Sequence, residues 1–579
     1  MKNKILLLLI LLFKQALFTY ACGDYELTLK QITDYSSQIT RAKVVDKSCF
    51  YNDARTFIYT KYSLEVITVF RGSNSQKIDI IEEGGMMNDL IVTSSASRNL
   101  EVGEEGYFFL SVNTNHQYTL ATSSQSYFVI NNNLQTASNG FLNYSIVDYN
   151  FEKQIEKMVG SIAIKIKTVD SKIHNQNKLA QGLPLVTNIS PKTTTAGTES
   201  ILTISGSGFG NGSDGIVYFT NSDDGGATLV SAFKSNIQSW TDSKIVVKVP
   251  SQAGTGSICV SKAGSQSYST QILTVTYARS SVATTNNINY ESNLVNESQV
   301  GGYLISLNTK FEAKTEAKNS FLNALENWRC NSLVNFTLTS ATTLDVKEND
   351  NVNVIRFASP SELKPGVLGI TYNFFVSCAD SYWYVKGFDM IFLDSLIWNF
   401  DTTQINSNTY DFLSVVTHEL GHAHQLSHVI DKDNLMHFSI RKAESKRVID
   451  ANSLACADVV LQDAIKSNIC GPKPMQLLLS NICGDVFFTF YELQKPQLLP
   501  NPVNDILNIN FFLPNDAIGT LQIFDIIGQL VIEPINGKML QGKNSVEVLI
   551  TNSNFSKGTY FVKLVTLNKT FVSKLVVGN

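Results

Sequence analysis

The chain has seven histidines, and five of them, His418, His422, His424, His428 and His437, fall in one short stretch. Neutral drift of surface residues rarely gathers imidazoles in this way, and the chemistry they share is metal ligation. On an α-helix the step from His418 to His422 turns through about 400°, so the two rings project from one face a single turn apart. That geometry suits two corners of a zinc tetrahedron. His428 lies further along, where a continuing helix would place it about 9 Å up the axis and well round the barrel. The helix must stop and the chain fold back before His428 can join the other two. Glu419 is adjacent to the first ligand and not needed as one, so its carboxylate can reach a metal-bound water as general base. The expected site is His418, His422 and His428 as ligands of Zn2+, with Glu419 as the catalytic residue and no other cofactor.

The pattern His418-Glu419-Leu420-Gly421-His422 with a third histidine at this spacing resembles the metzincin metalloproteases, and Leu426-Ser427-His428 looks matrixin-like. The resemblance implies a zinc endopeptidase with a Met-turn beneath the metal, and Asp433-Asn434-Leu435-Met436 supplies it. Met436 would shape the floor without joining the chemistry; alone it would read as ordinary core. One departure is Gln425, where the family usually has glycine. Glycine serves there because the turn away from the helix tends to need a positive φ, which costs another residue roughly 1 kcal/mol. Gln425 therefore reads as tolerated strain. His424 lies about 200° from His422 and reads as a polar contact or an exposed residue. His437 reads as packing, and His116 and His174 stand alone and support no metal.

Elements that must position these residues run from about 285 to 472. Thr315 to Trp328 has apolar residues near helical spacing and is expected to pack on a sheet. Val352 to Phe357 and Phe388 to Asp394 read as strands of that sheet. In the metzincin picture a strand like the second lies along the cleft and binds extended substrate by β-addition. Asn408 to Thr417 leads into the active helix, and Trp398 reads as core. No cysteine-switch motif resembling the matrixin pro-segment precedes the domain, and no calcium loop or repeat is apparent.

At 579 residues the chain has room for several domains. A net charge of -4, from 46 basic and 50 acidic residues, gives no basic footprint for nucleic acid. Residues 1–21 read as a signal peptide and no other stretch is apolar enough for a transmembrane segment. Cys22 invites a lipoprotein reading, but Thr19 stands where a lipobox prefers leucine. Export permits disulfides, with Cys22 to Cys49 and Cys330 to Cys378 as the expected pairs, and Cys259 reads as a buried free thiol.

Residues 22–150 alternate and turn like a small β-barrel or sandwich. Val66 to Gly72, Gly106 to Leu110 and the terminal cysteine resemble the netrin-like, TIMP-type barrel, which implies a possible autoinhibitory role. Residues 151–186 read as a helix and connector. Ile189-Ser190-Pro191, Leu202 to Gly210, Trp240 to Ser243 and Ala253 to Gly256 give residues 187–277 a close resemblance to the IPT/TIG immunoglobulin-like module, read here as a spacer. After a linker at 473–496, the short strands of 497–579, with Asp525 to Gly528, Gly558 to Tyr560 and Lys574, resemble the C-terminal sorting domain of the bacterial type IX secretion pathway.

The expected architecture is a multidomain chain: an α+β metzincin-like catalytic domain flanked by all-β domains. Its expected partners are protein or peptide substrates and the type IX secretion machinery, with its place outside the cell or on its surface. The rival expectation is a cell-surface adhesin or carbohydrate-binding protein whose zinc site is structural or degenerate.

Overall fold

Gln38–Tyr51 pairs antiparallel with Ile58–Arg71 on one side and with Glu105–Val112 on the other. Lys77–Glu83 and Tyr118–Leu120 complete the circuit, so the N-terminal strands close into a barrel. Alternation along these strands points Ala42, Val44, Tyr62, Leu64, Ile78, Ile80, Phe108 and Leu110 inward as one core. A computed structural model describes residues 24–131, 135–167, 183–478 and 496–578, apart from 97, 360, 379–381, 402–404, 467–470, 514–516, 540–541, 552–554 and 567–569. The expected signal peptide, Cys22, His174, Cys470, Cys483 and most of the 473–496 linker lie outside the described residues. Among the described residues no helix is long and apolar enough to cross a membrane.

The described chain as far as Leu478 forms one compact unit, and that from Leu479 a second. Within the first, Leu185–Ser190, Ile201–Ser207, Lys244–Lys248 and Ile237–Trp240 form one sheet, and Thr193–Ala196, Ser265–Ala278, Ala253–Lys262, Gly215–Asn221 and Leu229–Ser231 the other. Ile204, Ile245, Val217 and Val260 fill the space between them. The same apolar core continues into Phe321, Trp328, Val415 and Val416 of the following region, so no solvent separates the sandwich from it.

That region is built on a sheet in the order Phe336–Leu338, Tyr303–Leu307, Asn353–Ala358, Trp383–Leu393, Gly369–Ser377. The first four are parallel and Gly369–Ser377 runs antiparallel to its neighbour. This corrects the expectation for the Phe388 to Asp394 segment. The strand against Glu419 is Gly369–Ser377, through Thr371, and the expected segment falls instead in the interior strand Trp383–Leu393. Its unbroken apolar run Met390 to Leu393, buried throughout, is the pattern of a parallel strand covered on both faces. Thr315–Ser332 and Phe412–Ala423 form the expected helices, joined where Trp328 donates Nε1–H to the Thr417 carbonyl at 2.8 Å. Two strands of the N-terminal region extend the sheet beyond Gly369–Ser377: Leu90–Ser94, then Gly85–Met87.

Cys49 is a free thiol, its sulfur 3.4 Å from Thr60 Oγ1, and its expected partner Cys22 lies outside the described residues. Cys330 and Cys378 are each disulfide-bonded. Cys259 is buried and free, and burial pushes its thiol up to about 11. The C-terminal unit has two sheets, Gln497–Leu499, Ile506–Leu513 and Gly542–Leu549 in one, and Leu530–Met539, Ala517–Asp525, Gly558–Thr566 and Thr570–Val577 in the other. Leu507, Ile509, Leu521, Ile523, Val562 and Leu575 form its separate core.

Candidate metal centre

The active helix begins at Asp411, whose carboxylate accepts the Ser414 N–H at 3.2 Å and is held in turn by Arg447. Capping fixes the first turn, and the apolar face packs Phe412, Val415, Val416 and Leu420 into the core. The helix ends at Ala423, and Gln425 takes the left-handed conformation with φ 68°. The Leu426 N–H then reaches back to the Gly421 carbonyl at 2.9 Å, and the chain returns His428 to the other two histidines. Gln425 carries compensation for its strain: its side-chain amide donates to Asn373 Oδ1 at 3.2 Å and to the Ala423 carbonyl at 3.1 Å.

His418, His422 and His428 converge, with His422 Nε2 3.0 Å from His418 Nε2 and 3.1 Å from His428 Nε2. Each ring's other nitrogen faces an acceptor: the Leu435 carbonyl at 2.8 Å, the Leu426 carbonyl at 2.9 Å and Asp223 Oδ1 at 3.0 Å, respectively. Carbonyls and carboxylates cannot donate, so these contacts place the ring protons on Nδ1. Three bare Nε2 lone pairs then face one another, an arrangement that repels unless a cation lies between them. The donor set therefore fits a metal ion, and the three residues are a group able to hold one. Burial drives the His418 imidazole well below its ordinary pKa and His422 down to about 3, which keeps both neutral as ligands.

Met436 lies beneath the helix where Gly421 leaves room; a Cβ on Gly421 would stand 2.4 Å from Met436 Sδ. The turn carrying Met436 is fixed by Asp450, which accepts from Asn434 Nδ2 at 3.0 Å and from the Leu435 N–H at 2.9 Å. That anchoring aims the Leu435 carbonyl at His418. Glu419 is buried beside the histidines, and its Oε2 accepts Thr371 Oγ1–H at 2.7 Å and Ser95 Oγ–H at 3.2 Å. Burial raises its carboxyl to about 7, against the lowering by those hydroxyls and His428.

His424 is buried outside the triad, its Nε2 2.9 Å from Ser332 Oγ and its ring against Trp328, which is the polar contact expected and not exposure. His437 is buried and stacks on Phe438. Trp398 packs on Phe412. Spacing gave no signal for Thr371, Ser95, Asp223 or Asp24. Asp24 lies buried near His428 and Glu419, with Oδ2 3.2 Å from Ser123 Oγ and Oδ1 without a partner.

Residues 297–459 match the family model for Matrixin, and this span contains the whole histidine triad, Glu419 and Met436. The chain carries a matrixin region. Residues 184–277 match the IPT/TIG domain, and residues 497–578 the secretion system C-terminal sorting domain. The sorting domain marks the matrixin-bearing chain for export, as a secreted or cell-surface protein. No curated protein matches the chain. Among solved structures, an auxiliary nutrient binding protein from Bacteroides thetaiotaomicron is 15% identical with a TM-score of 0.15, over 22% of this chain and 31% of that one. The chain thus spans less than a third of that protein, and the likeness supports no functional comparison with the matrixin region.

Proposed function

We propose that the protein is a secreted zinc-dependent endopeptidase that hydrolyses peptide bonds in protein substrates. The observation that carries this reading is the set of three mutually facing Nε2 atoms with the buried Glu419 carboxyl beside them. His418, His422 and His428 would hold zinc, which supplies Lewis-acid polarisation of the scissile carbonyl and acidifies its water. Glu419 takes a proton from the attacking water at its carboxylate and returns it to the leaving amine. Thr371 and Ser95 orient that carboxylate by donating to Oε2. Met436 supports the floor through Gly421.

A cell-surface adhesin with a structural or degenerate metal site is the alternative, and Glu419 opposes it. A structural site is normally closed by a fourth protein ligand and needs no base. The decisive experiment is zinc content together with casein or gelatin cleavage, with and without a chelator. One bound zinc and chelator-sensitive cleavage are expected. Glu419→Gln should keep the zinc and lower kcat by about 10²–10⁴-fold; near-normal turnover in that variant would sink the assignment.

A further inference from the structure

The third histidine differs from the others in what orients it. His418 and His422 donate Nδ1–H to main-chain carbonyls of their own region, whereas His428 donates to Asp223, a side chain of the IPT/TIG module. Asp223 sits in the turn Ser222–Asp224, capped by Asn221, whose side-chain oxygen accepts the Asp223 N–H at 3.0 Å. Ser222 donates its N–H and Oγ–H to the Gln252 carbonyl at 2.9 and 3.0 Å, and buried Asp224 accepts the Thr228 N–H at 3.2 Å. The turn is pressed on the metal centre. A Cβ at Gly225 would stand 2.7 Å from the Phe438 ring, and one at Gly254 2.5 Å from Ile430. On the other side of the His428 loop, the Ser427 N–H donates to the Ala278 carbonyl at 2.8 Å and the Ser280 N–H to the Gln425 carbonyl at 2.9 Å. The module on one side and the segment that directly follows it, Ala278 to Ser280, on the other thus grip the loop of the third histidine.

We propose that the IPT/TIG module is part of the metal centre and that Asp223 is a positioning residue for His428. This rests on the zinc reading above. A carboxylate partner fixes the ring's tautomer and orientation and raises the basicity of Nε2. The test is zinc affinity of the full chain, by competition with a chromophoric chelator, for wild type, Asp223→Ala, Asp223→Asn and His428→Ala. Asp223→Ala should weaken zinc binding about 10–100-fold, and Asp223→Asn, which keeps an acceptor oxygen, should recover part of that loss. The Asp223 side chain is 45% exposed, so unfolding of the metal-free chains should be alike. Zinc affinity unchanged in Asp223→Ala would overturn the proposal alone. A wild-type chain that takes up no zinc would overturn the zinc reading with it.

A different set of contacts carries a second inference. The outer edge of Gly369–Ser377 is where an extended substrate would add as a further strand. Leu90–Ser94 already occupies it, with Val376 opposite Leu90 and Tyr372 opposite Ser94. Asp24 and Tyr25 run between the segments at Gly366 and Ile440: the Tyr25 N–H donates to the Gly366 carbonyl at 2.7 Å and the Ile440 N–H to the Asp24 carbonyl at 3.1 Å. Lys347 to Glu83 at 2.5 Å and Lys364 to Glu82 at 2.6 Å fasten the N-terminal strands in place. We infer that the N-terminal barrel holds the substrate's place and restrains the full chain to a low basal rate of cleavage, which rises when the barrel is displaced and falls when it is locked in place. This too rests on the endopeptidase reading, which zinc uptake tests separately.

Reversing the clasp with Glu82→Lys and Glu83→Lys should raise peptide cleavage at least tenfold over wild type. A disulfide from Leu90→Cys and Val376→Cys in that background should cancel the gain, and reduction should restore it. A folded, zinc-loaded reversed chain that cleaves no faster than wild type would overturn this restraint. If the reversed chain fails to fold, the cross-link in the otherwise wild-type chain decides, and cleavage unchanged by cross-linking would overturn it.

Discussion

Gly421 shows how little freedom the residues between the ligands have. Its missing side chain is the space Met436 uses, with Trp328 next nearest at 3.3 Å from where a Cβ would stand. Gly421→Ala should therefore overpack the floor and cost about 1–3 kcal/mol, read by denaturant unfolding. Gln425 offers the opposite case. Gln425→Gly relieves a positive φ worth roughly 1 kcal/mol but gives up the bonds to Asn373 and Ala423. The two effects should nearly cancel, leaving stability within about 1 kcal/mol of wild type, and a large loss would show that the amide bonds dominate. Histidine spacing pointed to the triad and to Glu419 beside it, and the metzincin resemblance to Met436. Neither could reveal Thr371, Ser95 or Asp223, because those side chains reach the site from distant segments and no local period marks them.

Apolar spacing made two helices of the matrixin region legible, Thr315–Ser332 and Phe412–Ala423, and apolar runs two of its strands, whereas Tyr303–Leu307, Phe336–Leu338, Gly369–Ser377 and the helix Ala451–Ala464 went unread. The strand at the cleft was misplaced because periodicity reports burial and not order in a sheet. Phe388 to Leu393 is buried throughout, as a strand with neighbours on both sides is, and periodicity alone does not say which neighbours those are. Alternation left the N-terminal strands open between barrel and sandwich, since closure depends on Gln38–Tyr51 serving two neighbours at once. Trp328 joins the two helices that frame the site and is fully buried. Trp328→Ala should cost about 3–5 kcal/mol, and the same unfolding measurement with zinc bound should show the loss persisting, because the cavity lies behind the helix and not at the ligands.

Across the whole unit, charge pairs tie the N-terminal strands to the catalytic sheet. Burial works against the charge on Glu83, but the Lys347 ammonium and the Tyr372 hydroxyl, 2.6 Å away, hold its carboxyl below the usual range. A depressed folded pKa means the contribution is present above the unfolded carboxylate pKa and is lost as pH falls through the lower folded value. Glu83→Gln should therefore be less stable than wild type near pH 7, and the gap between their urea midpoints should close in acid.

The matrixin match begins at residue 297, yet the sheet it describes is completed by Leu90–Ser94 and its third histidine is steadied from residue 223. Family boundaries and folding boundaries are thus different lines on this chain. A polypeptide trimmed to the matched span would expose the backbone of Gly369–Ser377 as an unpaired ribbon, a ready template for strand-to-strand association between molecules. Such a fragment should precipitate or form oligomers on refolding, where the intact unit stays monodisperse by light scattering. Heredity of the catalytic motif and inheritance of a foldable catalyst would then be separate matters, the second requiring that the N-terminal strands and the IPT/TIG module travel with it.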